Sequence, residues 1–346
     1  MPIVIATSER CALHQPPPGH PDRPERSDAM SVVAERWRDR GAQVVEPTGA
    51  TREQLARVHD RAYLDELEAT AGQAVMLDGD TFTCPESWEV ATLAAGAALR
   101  AVDAVLGGTV TRAVALVRPP GHHAGPSRAM GFCLLNNVAI AAADALARGV
   151  ARVAIVDFDV HHGNGTQCAF LGDPRVLFVS THQWPYYPGS GHESEVGVGD
   201  GAGYTVNVPM AAGATDDDYD VVFRQVVVPI VTWFNPGLVL VSAGYDAHEL
   251  DPLGGMRMTE AGYASLTRHL VAVADRSSAG RLVMVTEGGY HLPALAASLD
   301  ASLRALDGEA VEVAAGTLHV DAAPPVRGDA AVKRVRAAQA RYWRGL

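Results

Sequence analysis

Polar side chains that can bind a metal ion or transfer protons follow four separate apolar runs of this sequence. In chain order they are His122 and His123, then Asp157, Asp159, His161, His162 and Asn164, then Asp246 and His248, and finally Glu287 and Tyr290. If the four runs are parallel strands, their carboxyl ends lie at one edge of a sheet, where such proteins bind their ligands. We therefore expect these side chains to converge on one site.

The most specific pattern alternates two aspartates with a histidine. Alternate residues of a strand point to the same side, so Asp157, Asp159 and His161 are expected to share a face. Burying three such groups together is costly unless they are hydrogen-bonded or a cation lies between them. With Asp246, Asp159 and His161 would supply one nitrogen and two carboxylates and leave a position open, as in catalytic zinc sites. Iron(II) or cobalt could bind the same set, and a hydrogen-bonded network without a metal is the alternative.

The elements that would position these groups alternate between strands and helices. Runs rich in Val, Ile and Leu predict eight strands, at 3–6, 43–46, 113–117, 152–158, 175–180, 204–208, 238–242 and 282–286. Several are apolar throughout, as expected of strands covered on both faces. Ala-rich segments closed by Gly, or segments opened by Thr and acidic residues, predict helices at 86–108, 136–149, 215–234 and 259–280. This alternation predicts one α/β domain over 1–346, with a doubly wound, mostly parallel eight-stranded sheet flanked by helices.

The composition argues against several classes of protein. A formal net charge of −12 disfavours a nucleic-acid partner bound through its phosphates. The longest apolar stretch, 226–234, is too short to span a bilayer, and the N-terminus lacks a secretory leader, so we expect a cytoplasmic protein without a membrane partner. The four cysteines form no CxxC pair and are expected to be reduced thiols. Lys333 is the one lysine, which excludes a Walker-type loop and a Schiff-base lysine in the body of the chain.

The motifs that carry these residues also occur together in a known family. They are HPDRPERS (20–27), GHHAG (121–125), MGFCLLNN (130–137), DFDVHHGNGTQ (157–167), YYPGSG (186–191), SAGYDAHELDPLGG (242–255) and EGGY (287–290). In this order and spacing they resemble the zinc-dependent histone deacetylases and acetylpolyamine amidohydrolases of the arginase/deacetylase fold, in a bacterial-type member. The resemblance runs from about residue 14 to about residue 295, and leaves 296–346 as a C-terminal helical extension.

The resemblance implies three ligands and five catalytic residues around one Zn²⁺. The ligands are Asp159, His161 and Asp246. The catalytic set is His122 and His123 beside the attacking water, Tyr290 as hydrogen-bond donor to the substrate carbonyl, and Asp157 and Asn164 as partners of His122 and His123 respectively. We expect His123 to be the general base and acid, with His122 as electrostatic support. Asn164 stands where some relatives have an aspartate; it can orient His123 but cannot raise its pKa by charge, so we expect a neutral His123 at rest.

Substrate and cation sites are implied in the same way. A narrow acyl tunnel would be lined by Gly131, Phe132 and Tyr187, with Leu253 at its rim. Tyr187 stands where many relatives have Phe, and adds a hydroxyl to the wall. Two sites for monovalent cations, such as structural K⁺ ions, are implied by Asp157 and Asp159 with the backbone of His161 and Ser180, and by the backbone of Phe170, Asp173 and Val176 with Tyr204.

The sequence therefore predicts a zinc-dependent amidohydrolase that removes acetyl, or a similar short acyl group, from amines such as acetyl-lysine or acetylpolyamines. An arginase-like dimanganese ureohydrolase is one alternative, although we find no ligands for a second metal. An inactive acyl-lysine reader or scaffold is another, and it predicts the loss of a metal ligand or of Tyr290. A thiol nucleophile at Cys133 is a further alternative. An acidic tunnel rim at Glu249 and Asp251 would favour a polyamine, while the physiological substrate and the oligomeric state are not readable from the sequence.

Overall fold

One eight-stranded sheet forms the centre of the molecule in the computed structural model, which describes residues 3–309 and 324–346. Every strand of this sheet pairs with its neighbours in parallel, which confirms the predicted sheet. In spatial order the strands are β2 (Gln43–Val45), β1 (Val4–Thr7), β5 (Arg112–Leu116), β10 (Leu282–Thr286), β9 (Leu238–Ala243), β6 (Val153–Asp157), β7 (Val176–Gln183) and β8 (Thr205–Met210). A separate antiparallel pair, β3 (Val75–Met76) and β4 (Phe82–Thr83), was not predicted.

Helices cover both faces of the sheet. Those in the described residues are α1 (Glu25–Asp39), α2 (Arg52–Leu55), α3 (Arg61–Glu68), α4 (Ser87–Leu106), α5 (Asn137–Ala147), α6 (Asn164–Phe170), α7 (Asp216–Val222), α8 (Val228–Phe234), α9 (Glu260–Ser277), α10 (Leu292–Asp307) and α11 (Val326–Gln339). Helices α4 and α5 pack on one face, and α1 and α7 to α11 pack on the other. The sheet is therefore covered on both sides, as the uninterrupted apolar runs predict.

Alternate residues of each strand contribute to the two opposite cores. In β6, Val153 and Ile155 pack with α4 and α5, whereas Ala154 and Val156 pack with the helices on the other face. All four side chains are fully buried. Both sides of β6 are therefore apolar, and its one polar side chain, Asp157, lies where the strand ends.

The helix predicted over 215–234 is interrupted by one wide turn. Helix α7 passes into a π-helical turn, Phe223–Val227, which leads directly into α8. Pro229 lacks an N–H, so the carbonyl of Gln225 loses its helical donor. The Arg336 guanidinium of α11 donates to that carbonyl at 3.1 Å instead. The continuous apolar pattern of this segment contained no signal for the interruption apart from the proline.

The C-terminal helix α11 lies along β8, the last strand of the sheet. Gln339 donates to the carbonyl of Thr205 at 2.8 Å, and the N–H of Gly328 donates to Asp218 at 2.8 Å. The predicted extension at 296–346 thus contains most of α10 and all of α11, while 310–323 lie outside the described residues. The single-domain organisation remains a prediction.

Among the described residues, no helix combines the length and the apolar character needed to cross a bilayer.

The four strands that lead into the polar motifs are direct neighbours. In the sheet, β5, β10, β9 and β6 are adjacent in that order. The segments that follow them begin at Val117, Glu287, Gly244 and Phe158, all at the carboxyl edge. This strand order, and not closeness in the sequence, brings the polar residues together.

Candidate metal centre and active site

Asp159, His161 and Asp246 form a buried group at this carboxyl edge. One candidate ligand atom from each lies within 4.8 Å of the others. The Nδ1 atom of His161 is 3.1 Å from Asp159 Oδ1 and 3.2 Å from Asp246 Oδ2. Although it is buried, Asp246 Oδ2 has no well-aligned hydrogen-bond donor. Two carboxylates and one imidazole nitrogen that face one another in this way fit the donor set of a divalent cation.

The expectation that Asp157, Asp159 and His161 share one strand face is wrong, because β6 ends at Asp157. Bends after the strand bring the ligands together. The N–H of His161 donates to Asp159 Oδ1 at 2.8 Å, and the N–H of Val160 donates to Asp246 Oδ1 at 2.9 Å. Carboxylates therefore satisfy the backbone groups that the sheet no longer pairs. The side chain of Asp157 lies outside the ligand group.

Two glycines allow the carboxylates to approach the backbone of neighbouring loops. A Cβ atom at Gly288 would overlap Asp246 Oδ2 and lie 2.7 Å from Asp159 Oδ2, and one at Gly244 would overlap Asp159. The N–H of Gly288 donates to Asp159 Oδ2 at 2.8 Å. These glycines are thus required by close contact with the ligand carboxylates.

The tandem histidines lie beside this group and have different partners. His122 Nδ1 is 3.0 Å from Asp157 Oδ2, and His123 Nδ1 is 2.7 Å from Asn164 Oδ1. The centre of the His123 ring is 5.9 Å from that of His161. Because the Asn164 oxygen is an acceptor, Nδ1 of His123 carries the hydrogen, and a neutral ring then leaves Nε2 free to accept a proton. The structure thus places the four side chains in the pairs that the resemblance implies.

The pKa values of these groups reflect crowded, buried charge. Burial opposes a charge on His161, but its hydrogen bond to Asp159 and the adjacent carboxylate of Asp246 raise its pKa to about 10. Burial and the neighbouring Asp159 raise the pKa of Asp246 to about 7. A bound cation would take the place of the proton between His161 and the two carboxylates. It would lower the pKa values of His161 and Asp246. Burial, together with His122 and His161, holds the pKa of His123 well below its usual range, which agrees with a neutral His123.

Tyr290 is held by residues from two other segments. Asp251 accepts the N–H of Tyr290 at 2.6 Å and the N–H of Leu253 at 2.9 Å. The Arg26 guanidinium lies 4.8 Å from the centre of the Tyr290 ring and donates to the carbonyl of Gly289 at 2.7 Å. Asp251 is therefore a buried support for this segment, and its suggested place in an acidic rim is wrong. Burial raises the pKa of Tyr290, so the phenol keeps its proton.

A cavity of about 210 Å³ opens beside His161, His123 and Tyr290. It is also lined by the four residues predicted for the tunnel, Gly131, Phe132, Tyr187 and Leu253, and by two that the sequence did not single out, Asp80 and Tyr186. Phe132 has a φ of 69°, a conformation that non-glycine residues rarely adopt, and its N–H donates to Thr81 at 3.1 Å. The Tyr186 ring stacks on His161 at 5.5 Å. The walls are largely aromatic and suit an unbranched apolar chain.

Asp80 and Tyr186 were missed for an identifiable reason. Asp80 follows the two-residue strand β3, which has no strongly apolar run, and Tyr186 lies in the loop after β7 and carries no metal-binding group. His20, in the HPDRPERS motif, bonds the carbonyl of Asp80 at 2.9 Å, and its ring contacts that of Phe132 at 4.5 Å. The N-terminal motif thus supports one wall of the cavity.

Three residues near the motifs lie outside the ligand group. His162 bonds Ser190 at 2.9 Å and Gln167 at 3.0 Å. His248 accepts the N–H of Leu250 at 3.1 Å. Cys133 is fully buried, and burial raises its pKa well above the usual value, which does not favour the thiol-nucleophile alternative. The two predicted sites for monovalent cations stay predictions.

The parallel sheet and the ligand group at its carboxyl edge agree with the arginase/deacetylase fold that the motifs imply. The sequence model of the family described as "Histone deacetylase domain" matches residues 20–306. The chain belongs to the histone deacetylase family. The matched range agrees with the range of the resemblance derived from the motifs, and it continues into the last turn of α10.

Several relatives support this membership. A protein named "Probable deacetylase" from Archaeoglobus fulgidus is 42% identical over 294 residues, covering 83% of this chain and 81% of the relative. "Polyamine deacetylase HDAC10" from Homo sapiens is 39% identical over 355 residues, covering 93% of this chain and 50% of that protein. The crystal structure of the HDA15 HD domain superposes with a TM-score of 0.89 at 37% identity, over 98% of this chain and 96% of the other. This chain is therefore a deacetylase, and its fold is that of solved family members.

Proposed function

We propose that this deacetylase removes acetyl or similar short acyl groups from primary amines, with one Zn²⁺ held by Asp159, His161 and Asp246. The observation that carries the proposal is the grouping of these three ligand atoms within 4.8 Å, beside a cavity lined by aromatic side chains. Fe²⁺ or Co²⁺ fits the same donor set. When bound, the ion supplies a water of lowered pKa and polarises the amide carbonyl.

The residues around the ligands would carry the proton transfers. His123, neutral and with Nε2 free, takes the proton of the attacking water and passes it to the leaving amine. His122, bonded to Asp157, supports charge that develops nearby. The phenol of Tyr290 donates a hydrogen bond to the carbonyl oxygen as negative charge forms there. The Nδ1 atoms of His122 and His123 are held by Asp157 and Asn164, and the backbone N–H of Tyr290 is held by Asp251.

The substrate stem would lie between Phe132 and Tyr187. An acylated lysine side chain and an acylated polyamine both present a short methylene chain that ends in an amide, and both fit this slot. Tyr187 adds a hydroxyl where an apolar ring would suffice, and Leu253 forms an apolar rim. A comparison of kcat/KM for an acetyl-lysine peptide and an acetylspermidine-type amine would rank the two substrate classes.

The two alternatives have less support. In the described residues we find one group of three metal-binding side chains, with no second set for a dimanganese centre. An inactive reader predicts a missing ligand or tyrosine, yet Asp159, His161, Asp246 and Tyr290 are all present and close together. The metal-dependent hydrolase therefore accounts for more of the site.

Turnover of a fluorogenic acetyl-lysine peptide tests the proposal. We expect activity in the purified protein, loss with a chelator, and recovery with Zn²⁺. Tyr290→Phe should bind the metal normally but lose roughly 100- to 1,000-fold in kcat, because one oxyanion donor is removed. A Tyr290→Phe protein as active as the parent, or activity that survives complete metal removal, would contradict it.

A further inference from the structure

Glu287 is a fully buried carboxylate that the mechanism above does not use. It begins the EGGY motif, directly after β10. Its Oε2 atom accepts the N–H of Gly121 at 2.6 Å and the N–H of His122 at 3.1 Å. Its Oε1 atom accepts the hydroxyl of Ser242 at 3.0 Å. All three donors belong to segments far from Glu287 in the chain.

These contacts join three strand ends that carry different parts of the site. The Gly121–His123 segment contains the tandem histidines. Ser242 lies at the end of β9, four residues before Asp246. Glu287 itself lies three residues before Tyr290, and the next residue, Gly288, donates to Asp159. One carboxylate thus connects the histidine, ligand and tyrosine segments.

The histidine segment has little freedom to find another position. A Cβ atom at Gly121 would lie 2.6 Å from the backbone nitrogen of Asn137. On its other side, the carbonyl of His122 accepts the N–H groups of Gly165 and Thr166 at 3.0 and 3.2 Å. The peptide before His122 is therefore fixed by Glu287, and the peptide after it by the start of α6. Without Glu287, two buried N–H groups would have no acceptor.

We propose that Glu287 is a positioning residue that sets the tandem histidines against the metal-ligand and tyrosine segments. This inference rests on the proposed function, because it assigns a purpose to the position of His122 and His123. It does not make Glu287 a catalytic residue, since its carboxylate contacts only the protein. Glu287 acts through hydrogen bonds, so glutamine, which has the same shape and also offers an acceptor oxygen, should be able to replace it.

Steady-state kinetics of Glu287→Ala and Glu287→Gln test this role. In Glu287→Ala, we expect kcat to fall about 100-fold with KM and bound metal unchanged, because a misplaced base affects the chemical step and not substrate binding. Glu287→Gln keeps an oxygen for the two N–H groups, and the Ser242 hydroxyl can rotate to accept from the amide. Its kcat should stay within about fivefold of the parent.

A double-mutant cycle and a matched control separate positioning from general stability. If Glu287 acts through the histidines, Glu287→Ala should have almost no further effect on kcat in a His122→Ala, His123→Ala background.

Asp218→Ala is the control, because Asp218 is also a buried carboxylate that accepts backbone N–H groups, from Thr215 and Gly328, away from the site. It should lower the melting temperature and leave kcat unchanged. If Glu287→Ala does not fold, Glu287→Asp, whose shorter chain cannot reach both segments, takes its place.

Failure of this inference can be distinguished from failure of the proposed function. A parent protein that turns over no acylated amine refutes the proposed function. An active parent with undiminished kcat in Glu287→Ala refutes the positioning role. The positioning role would also be refuted if Glu287→Ala lowered kcat as much in the His122→Ala, His123→Ala background as in the parent. A loss of kcat that is explained by loss of bound metal would refute it as well.

Discussion

Close contacts at single residues decide whether the ligand group can form. Gly288→Ala places a methyl group against Asp246 Oδ2 and Asp159 Oδ2. We expect metal content to drop well below one ion per chain and kcat/KM to fall at least about 100-fold, because the ligands must separate. Metal analysis of the purified variant and steady-state kinetics measure both effects.

Gly172→Ala is the matched control for this change. Its nearest neighbour is a Val198 side chain at 3.9 Å, an ordinary contact. It should bind metal and turn over substrate as the parent does. Full metal content in Gly288→Ala would show that the two carboxylates do not meet at the ion.

Asn164 bonds His123 through a neutral amide and therefore places no negative charge beside the imidazole. Asn164→Asp would place a carboxylate about 2.7 Å from His123 Nδ1 and favour the charged imidazole. Because the general base must be neutral, the acidic limb of the kcat/KM profile should move to higher pH by about one unit or more. A pH–rate profile that does not move, or moves to lower pH, would contradict this assignment.

The chemistry of single residues was the most predictable part of the site. Asp159, His161 and Asp246 were grouped from the sequence because few residue types bind metals and all three follow apolar runs. The supporting residues were harder to predict. Arg26, Glu287 and Asp251 act through contacts with segments that are distant in the chain, and no local pattern indicates such contacts.

At the scale of elements, a buried histidine joins the α2–α3 region to the start of α5. His59 Nδ1 donates to the carbonyl of Gly125 at 3.0 Å, and Nε2 accepts the N–H of Asn136 at 2.9 Å. The bond from Asn136 requires the neutral ring, because a protonated Nε2 cannot accept, and burial lowers the pKa of His59 to about 4. Protonation would break the bond to Asn136, which caps α5 through the N–H of Ala139.

Stability should therefore depend on pH in a defined window. The unfolded chain binds a proton at His59 below pH 6.5 while the folded chain does not, so the free energy of unfolding falls as pH decreases from 6.5 to about 4. His59 contributes on the order of 3 kcal/mol to this loss. His59→Gln offers a donor and an acceptor without titrating, and should flatten the slope in denaturant unfolding. His192→Gln, at an exposed site, should leave the slope unchanged, and an equal slope in both variants would contradict the role of His59.

The strands were predicted more fully than their arrangement. All eight were predicted from short runs rich in Val, Ile and Leu, and several of these runs are continuous because the strands are buried on both faces. The order β2-β1-β5-β10-β9-β6-β7-β8 has no signature in periodicity, since it depends on which helices cross which face. The β3–β4 pair was missed because two-residue strands have no recognisable pattern, and Asp80 was missed with it.

For the whole molecule, α11 closes the edge of the sheet next to β8. Val335 is fully buried in the core shared with β8, α7 and α9. Val335→Ala should lower the free energy of unfolding by about 2 kcal/mol without changing kcat, because the helix lies away from the metal ligands. Chemical denaturation should still show one cooperative transition if the chain is a single domain.

Two transitions, or an unchanged free energy of unfolding in Val335→Ala, would contradict this view of the C-terminal helix. An exposed substitution on the same helix, Lys333→Ala, is the control and should be nearly neutral. Removal of 324–346 should also expose the β8 edge and increase self-association, which light scattering would detect.

The central claim is that one divalent ion, bound by Asp159, His161 and Asp246, is required for amide hydrolysis. Its most direct test is a titration of the metal-stripped protein with Zn²⁺, with bound metal and acetyl-lysine turnover measured in the same samples. We expect activity to rise in proportion to bound metal and to saturate at one ion per chain, and Asp246→Ala to bind little metal and show no turnover. Full turnover without metal, or by Asp246→Ala, would contradict the claim.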